Sequence, residues 1–193
     1  MRIYVTGATG YIGRALCQRL AAAGHEVRAL VRSAARTEPL TAAGVTLCPG
    51  DITDRVSMRE GMSGADWVIH GAALLSARAA LAEMRAVNVA GSENVASLAR
   101  KLGVGGLLSI ASVAAFGGSP EDGSPATEES PPRLPFPTPY SQTKHEGQRA
   151  IEAWARQGLR VRTVYPGLVY GPPGKKEGAN VVLRQLLLGR FPV

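Results

Sequence analysis

The chain has 193 residues, 45% hydrophobic and 19% charged, with mean hydropathy near zero. That composition suits one domain with a full core and argues against a disordered or membrane-embedded chain. The formal net charge of +7 arises entirely in the last third: residues 1–132 hold 12 basic and 12 acidic groups, residues 133–193 hold 10 and 3. The basic residues there are scattered and not interleaved with aromatics, which argues against a nucleic-acid surface. A phosphate-bearing ligand, or acidic protein surface outside this chain, explains them more simply.

Short β-branched runs alternate with helical stretches, which predicts an α/β fold: a doubly wound, mostly parallel sheet of the Rossmann type. Arg2–Thr6 reads as a strand, Tyr11–Gly24 as a helix, Glu26–Val31 as the second strand and Ser33–Ala43 as a short helical piece. A third strand follows at Val45–Pro49, then a helix over Thr53–Met62 with Thr53 as its cap, then a buried strand at Asp66–His70. Met84, Val87, Val95, Leu98 and Leu102 recur at three- and four-residue spacing, predicting one long helix from Ala77 to Leu102. Gly106–Ala111 is the fifth strand, Ser119–Pro139 a Pro-rich surface loop, and Tyr140–Gln157 a helix with Ile151 and Trp154 inward. Arg160–Tyr165 is the sixth strand, Gly167–Gly178 a loop and Ala179–Gly189 a last helix. No run reaches the ~18 apolar residues of a membrane span. The first strand begins almost at Met1, so no leader peptide is expected, and the two cysteines read as buried free thiols; both point to the cytoplasm.

The segment Thr6-Gly7-Ala8-Thr9-Gly10-Tyr11-Ile12-Gly13 joins the first strand to the first helix. Gly7 suits a tight turn, Gly10 lets backbone approach a pyrophosphate, and Gly13 lets helix and sheet pack closely. The amides of Tyr11 and Ile12 then face the phosphates at the positive end of the helix dipole. An ordinary glycine turn is the competing reading, which the strand before and the helix after make weak. Arg32 ends the second strand where an NAD site usually carries a carboxylate; a guanidinium there, with Arg36 nearby, favours the 2′-phosphate of NADP, with NAD as the other choice. A solvated strand-end arginine is the bland alternative. Asp51 and Ile52 follow the third strand and suit an adenine, with a helix cap as the rival role for Asp51.

Tyr140 and Lys144 lie four apart on one helix face. A free phenol with a pKa of about 10 is a poor base at neutral pH, and lowering it to about 7 takes ~4 kcal/mol of differential stabilisation from nearby positive charge. Ser112, just past the fifth strand, suits a hydrogen bond to a substrate oxygen. Each is commonplace alone, as a solvated pair or a turn residue; their shared place at the carboxyl edge of the sheet is what marks them. The three histidines are not spaced as metal ligands, so no metal is expected.

Seven motifs in order, TGATGYIG (6–13), GDITD (50–54), HGAA (70–73), NVAGSENV (88–95), SIASVAAFG (109–117), PYSQTK (139–144) and YPGLVYGPPG (165–174), resemble the extended short-chain dehydrogenase/reductase family over essentially the whole chain. The resemblance implies that Tyr140 is the general acid/base, that Lys144 binds the nicotinamide ribose, and that Ser112 orients the substrate oxygen. It implies that Ala72 and Ala73 line the nicotinamide side, that Pro166 to Val169 close over the ring, and that Asn88 is structural or relays through water. VRALVR at 27–32 and the C-terminal motif look like the dihydroflavonol-reductase and farnesol-dehydrogenase-like branch. Members continue for roughly another hundred residues, so residues 1–178 read as the dinucleotide-binding domain and 179–193 as the start of a truncated substrate region. Family members often pair through the helices matching Ala77–Leu102 and Tyr140–Gln157.

Three functions follow from this reading. They are an NADP-dependent reductase or dehydrogenase of a small hydroxyl or carbonyl compound, an NAD-dependent sugar-nucleotide epimerase or dehydratase, and a non-catalytic dinucleotide binder. Ser109 neighbours Ser112, so the two compete for the serine role.

Overall fold

The computed structural model describes residues 1–76, 78–118, 123–171 and 179–190. Six strands form one all-parallel sheet: β1 (Arg2–Thr6), β2 (Glu26–Val31), β3 (Thr46–Pro49), β4 (Trp67–His70), β5 (Gly106–Ile110) and β6 (Val161–Val164), in the order β3-β2-β1-β4-β5-β6. The order reverses between β1 and β4, which opens a crevice at their carboxyl ends.

Alternation along the strands feeds two cores. On one face Tyr4, Val68 and Leu107 pack with Val95, Leu98 and Ile151; on the other Ile3, Val5, Val27, Ala29 and Ile69 pack with Ala8 and Cys17. Each fully buried large aliphatic contributes about 1.5–3 kcal/mol. The first face is covered by α3 (Arg59–Met62), α5 (Gly91–Lys101) and α6 (Pro139–Ala155), the second by α1 (Tyr11–Ala22) and α2 (Glu38–Thr41). Over β6 the second face is open, with Arg162 and Val164 exposed. The last helix, α7 (Asn180–Leu187), buries none of its own residues.

Three expectations are corrected. Thr53 caps no helix: Asp51 Oδ1 accepts from its amide (2.8 Å) and hydroxyl (2.9 Å), and Asp54 Oδ1 accepts from the Val56 amide (2.9 Å). These side-chain bonds hold the chain in turns, and only Arg59–Met62 is helical. The long helix is three pieces, α4 (Leu81–Arg85), a π-helical turn (Ala86–Ala90) and α5; Ala77, its expected first residue, lies outside the described residues. Trp67 and Cys48 are half-buried where full burial was expected. Trp67 lies over Gly106, where any side chain would strike the indole, and carries the Arg160 guanidinium 5.3 Å from its ring centre.

Both cysteines are free, and burial pushes the Cys17 thiol up to about 12 and raises that of Cys48. Among the described residues no helix is long and apolar enough to cross a membrane. The expected boundary at residue 178 and the end of the expected loop fall outside the described residues.

Candidate active site

A cleft of about 280 Å3 opens at the reversal point, and seven expected residues line it: Gly7, Gly10, Arg32, Asp51, Ile52, Ala72 and Ala73. They come from the carboxyl ends of β1, β2, β3 and β4, so the sheet alone gathers positions 66 residues apart. The glycines divide the work. Gly7 sits at φ +76°, and a Cβ there would lie 2.6 Å from the Gly71 carbonyl carbon and the Ala72 nitrogen. At Gly13 a Cβ would collide with the Gly7 carbonyl oxygen, so this residue seats α1 on the turn. Gly10 is exposed on the cleft, with only the Gly7 oxygen (3.1 Å) near its missing side chain.

The first i−4 bond of α1 runs from the Arg14 amide to the Gly10 carbonyl (3.0 Å). The amides of Tyr11, Ile12 and Gly13 precede it and have no helical carbonyl behind them, which makes them anion donors. The residues present therefore fit a dinucleotide: amides for its pyrophosphate, buried Ile52 as an apolar wall beside Asp51, and exposed Arg32 at the rim. Arg36 stands on the exposed turn after β2, at φ 63°. Sequence reading missed Thr9, Leu30, Gly71, Leu74, Glu83 and Val87 in this lining. Glu83 and Val87 are four apart in the helical stretch, a spacing that could have flagged them.

The second group lies at the end of β5. Thr138 caps α6, its hydroxyl oxygen accepting from the Ser141 amide at 3.0 Å, with Pro139 in the first turn. The helix therefore starts one residue earlier than expected and presents Tyr140 in its first turn. Ser112 lies near enough to the Tyr140 phenol to influence its pKa and also accepts from the Ala114 amide (3.2 Å), so it is both cap and site residue. Burial raises the phenol above its ordinary value, and the neighbouring Ser112 hydroxyl opposes this. The Lys144 ammonium donates to the Ile110 carbonyl (3.1 Å), and burial pushes its own pKa down to about 8. Ser109 is no competitor of Ser112, because its hydroxyl is buried and donates to Gln148 Oε1 (3.0 Å), tying β5 to α6.

A buried chain of polar groups joins the two halves. The Ser92 hydroxyl donates to the Asn88 carbonyl (2.7 Å), so it accepts from His70 Nε2 (3.0 Å); His70 Nδ1 then accepts from the Thr6 hydroxyl (2.7 Å), whose oxygen accepts from the Ala72 amide (3.3 Å). This assigns a neutral His70 with its proton on Nε2. Burial, with the Lys144 charge adding to it, lowers its pKa to about 3. The Asn88 carboxamide is fully used: Oδ1 accepts from the Leu74 amide (2.7 Å), and Nδ2 donates to the Leu74 carbonyl (3.1 Å) and the Thr143 hydroxyl (3.0 Å). It pins the wall after β4 to the helix carrying Tyr140.

Of the remaining expected residues, Pro166 accepts from the Val113 amide (3.1 Å) and Val169 from the Ala179 amide (3.1 Å), through their carbonyls. Ile12 is exposed. The Tyr11 phenol bonds the Gly171 carbonyl and the Asn180 carboxamide, a contact 169 residues apart that no local pattern announces.

A ketoreductase of Stigmatella aurantiaca, named for 4-hydroxy-2-methyl-3-oxo-4-farnesyl-3,4-dihydroquinoline-1-oxide, is 35% identical over 175 residues, 89% of this chain and 51% of that protein. A 2-alkyl-3-oxoalkanoate reductase of Stenotrophomonas maltophilia is 33% identical over 174 residues, 89% of this chain and 52% of its own. The chain thus spans about half the length of the curated relatives it matches. The UDP-glucose 4-epimerase of Thermus thermophilus, solved with NAD, is similar with a TM-score of 0.81 at 28% identity, covering 100% of this chain and 64% of the epimerase. The family model for NAD dependent epimerases and dehydratases matches residues 3–190, and the chain belongs to that family.

Proposed function

We propose that this chain forms the dinucleotide-binding half of an NADP-dependent reductase or dehydrogenase that interconverts a ketone and an alcohol on a small organic substrate. The observation that carries the reading is the convergence of Ser112, Tyr140 and Lys144 at the end of β5, beside a cleft rimmed by Arg32. Bound nicotinamide would supply or accept the hydride at the substrate carbon. Tyr140 gives its phenolic proton to the carbonyl oxygen in reduction and takes it back in oxidation. Ser112 holds that oxygen beside the phenol, and the Lys144 ammonium supplies the positive charge that makes a phenolate attainable. The similar ketoreductase and oxoalkanoate reductase support a ketone next to an alkyl-bearing carbon.

Replacing the phenol tests the assignment. Tyr140→Phe is expected to lower cofactor-linked turnover on the order of 10²–10⁴-fold with little change in cofactor affinity; unchanged turnover refutes it. Cofactor choice rests on Arg32. Titration with NADPH and NADH is expected to favour NADPH, and Arg32→Ala to reduce that preference about tenfold. An NADH preference in the unaltered chain would instead favour a sugar-nucleotide epimerase, the reading to which the likeness to the Thermus enzyme lends weight. Pairing of two copies through the outer faces of α5 and α6 belongs to the same proposal, and sedimentation equilibrium tests it.

A further inference from the structure

α7 buries no side chain, yet it lies beside the amino end of α1. A closed polar triangle holds it there. Asn180 Nδ2 donates to the Tyr11 hydroxyl (3.0 Å) and to the Gly171 carbonyl (2.8 Å), and Asn180 Oδ1 accepts from the Gly171 amide (3.0 Å). The Tyr11 hydroxyl closes the triangle by donating to the same Gly171 carbonyl. Gly171 takes φ +140°, a conformation that side-chain-bearing residues rarely adopt. Tyr11 follows Gly10 directly, so its amide belongs to the anion-binding turn while its side chain reaches across to the segment after β6. That segment also carries Pro166 and Val169, and the Val169 carbonyl accepts from the amide of Ala179, the residue before Asn180.

We infer that Asn180 is a positioning residue: through Tyr11 and Gly171 it fastens the segment after β6 across the mouth of the phosphate turn and thereby slows exchange of the dinucleotide. Apolar support for α7 is slight: Leu183 is half-buried and Ala179, just before the helix, is buried, while Val181, Val182, Leu186 and Leu187 are exposed. The fastening therefore holds mainly by polar bonds and opens more readily than the sheet unfolds. Both ends of the dinucleotide track are joined by it, since the same segment reaches from the nicotinamide side to the pyrophosphate side. The effect on exchange rests on the cofactor reading above; the fastening itself does not.

The full chain and the variants Tyr11→Phe, Asn180→Ala and their double are compared by stopped-flow displacement of bound NADPH and by hydrogen exchange without cofactor. Each single variant is expected to release NADPH about tenfold faster, with the double no more than about threefold beyond the worse single, because the three groups act as one unit. Exchange at the Gly171 amide and in α7 is expected to quicken in every variant, with the urea midpoint unchanged. Release within twofold of the unaltered chain, or effects that multiply in the double, overturns the role in exchange. Unchanged hydrogen exchange overturns the fastening. If the unaltered chain binds neither NADPH nor NADH, the functional reading falls while hydrogen exchange still decides the fastening.

Discussion

Lys144 and His70 have pKa values lowered by the same cause, burial, and they couple stability to pH in the same sense over two different windows. The Lys144 ammonium is held at about 8 against an ordinary 10.5. Between those values the unfolded chain keeps a proton that the folded one has released, so stability rises with pH across that window. Lys144→Met removes the buried charge. It is expected to stabilise the chain by about 1–3 kcal/mol at pH 7 in urea unfolding, to lose the rise between pH 8 and 10.5, and to abolish turnover. His70 acts in the same sense in a lower window: its burial costs nothing above 6.5, and stability falls as pH drops from there towards about 3. The loss is about 1.4 kcal/mol for each pH unit below 6.5. His70→Asn is expected to flatten the decline of the urea midpoint between pH 6.5 and 4 relative to the unaltered chain; an equal slope in both would remove the neutral His70.

At the scale of elements, the glycine turn separates folding from binding. Gly7→Ala strains a positive φ and drives a Cβ into the Gly71 and Ala72 backbone, and Gly13→Ala drives one into Gly7. Each is expected to cost more than about 2 kcal/mol in unfolding free energy. Gly10→Ala meets only the Gly7 oxygen, and is expected to keep the melting temperature within about 2 °C while weakening NADPH binding at least tenfold. Strands were legible because a buried parallel sheet demands apolar runs at regular intervals. So were the turn and the Tyr140–Lys144 pair, whose positions follow from strand and helix ends. The stretch from Asp51 to Ser57 was not, because Asp51 and Asp54 capture amides that a helix would otherwise use. Nor was the break in the long helix: Met84, Val87 and Val95 keep helical spacing whether or not a wider turn intervenes.

Across the whole molecule, basic charge and exposed apolar side chains are concentrated in the last third of the chain. The excess of basic residues lies in 133–193, and the same region exposes Leu168, Tyr170, Val181, Leu186 and Leu187, beside the open face of β6. Such a surface on an isolated chain promotes self-association. Leu168→Lys with Leu187→Lys is expected to lower light scattering at high protein concentration with no fall in melting temperature, as neither side chain is buried.

The π-helical turn at Ala86–Ala90 has a consequence for how the helix is phased. A π turn takes up one residue more than an α turn, so the rods before and after it are rotated relative to each other by about 100°. The first rod brings Glu83 to the cleft wall, where Val87 of the wide turn joins it, while the second rod turns Val95 and Leu98 into the sheet. Asn88 stands at the change of phase and reaches Leu74 and Thr143 together. Deleting Val89 would let the helix run true and swing one rod out of step with the other. The wider turn is a gear between two surfaces that a straight helix could not serve at once.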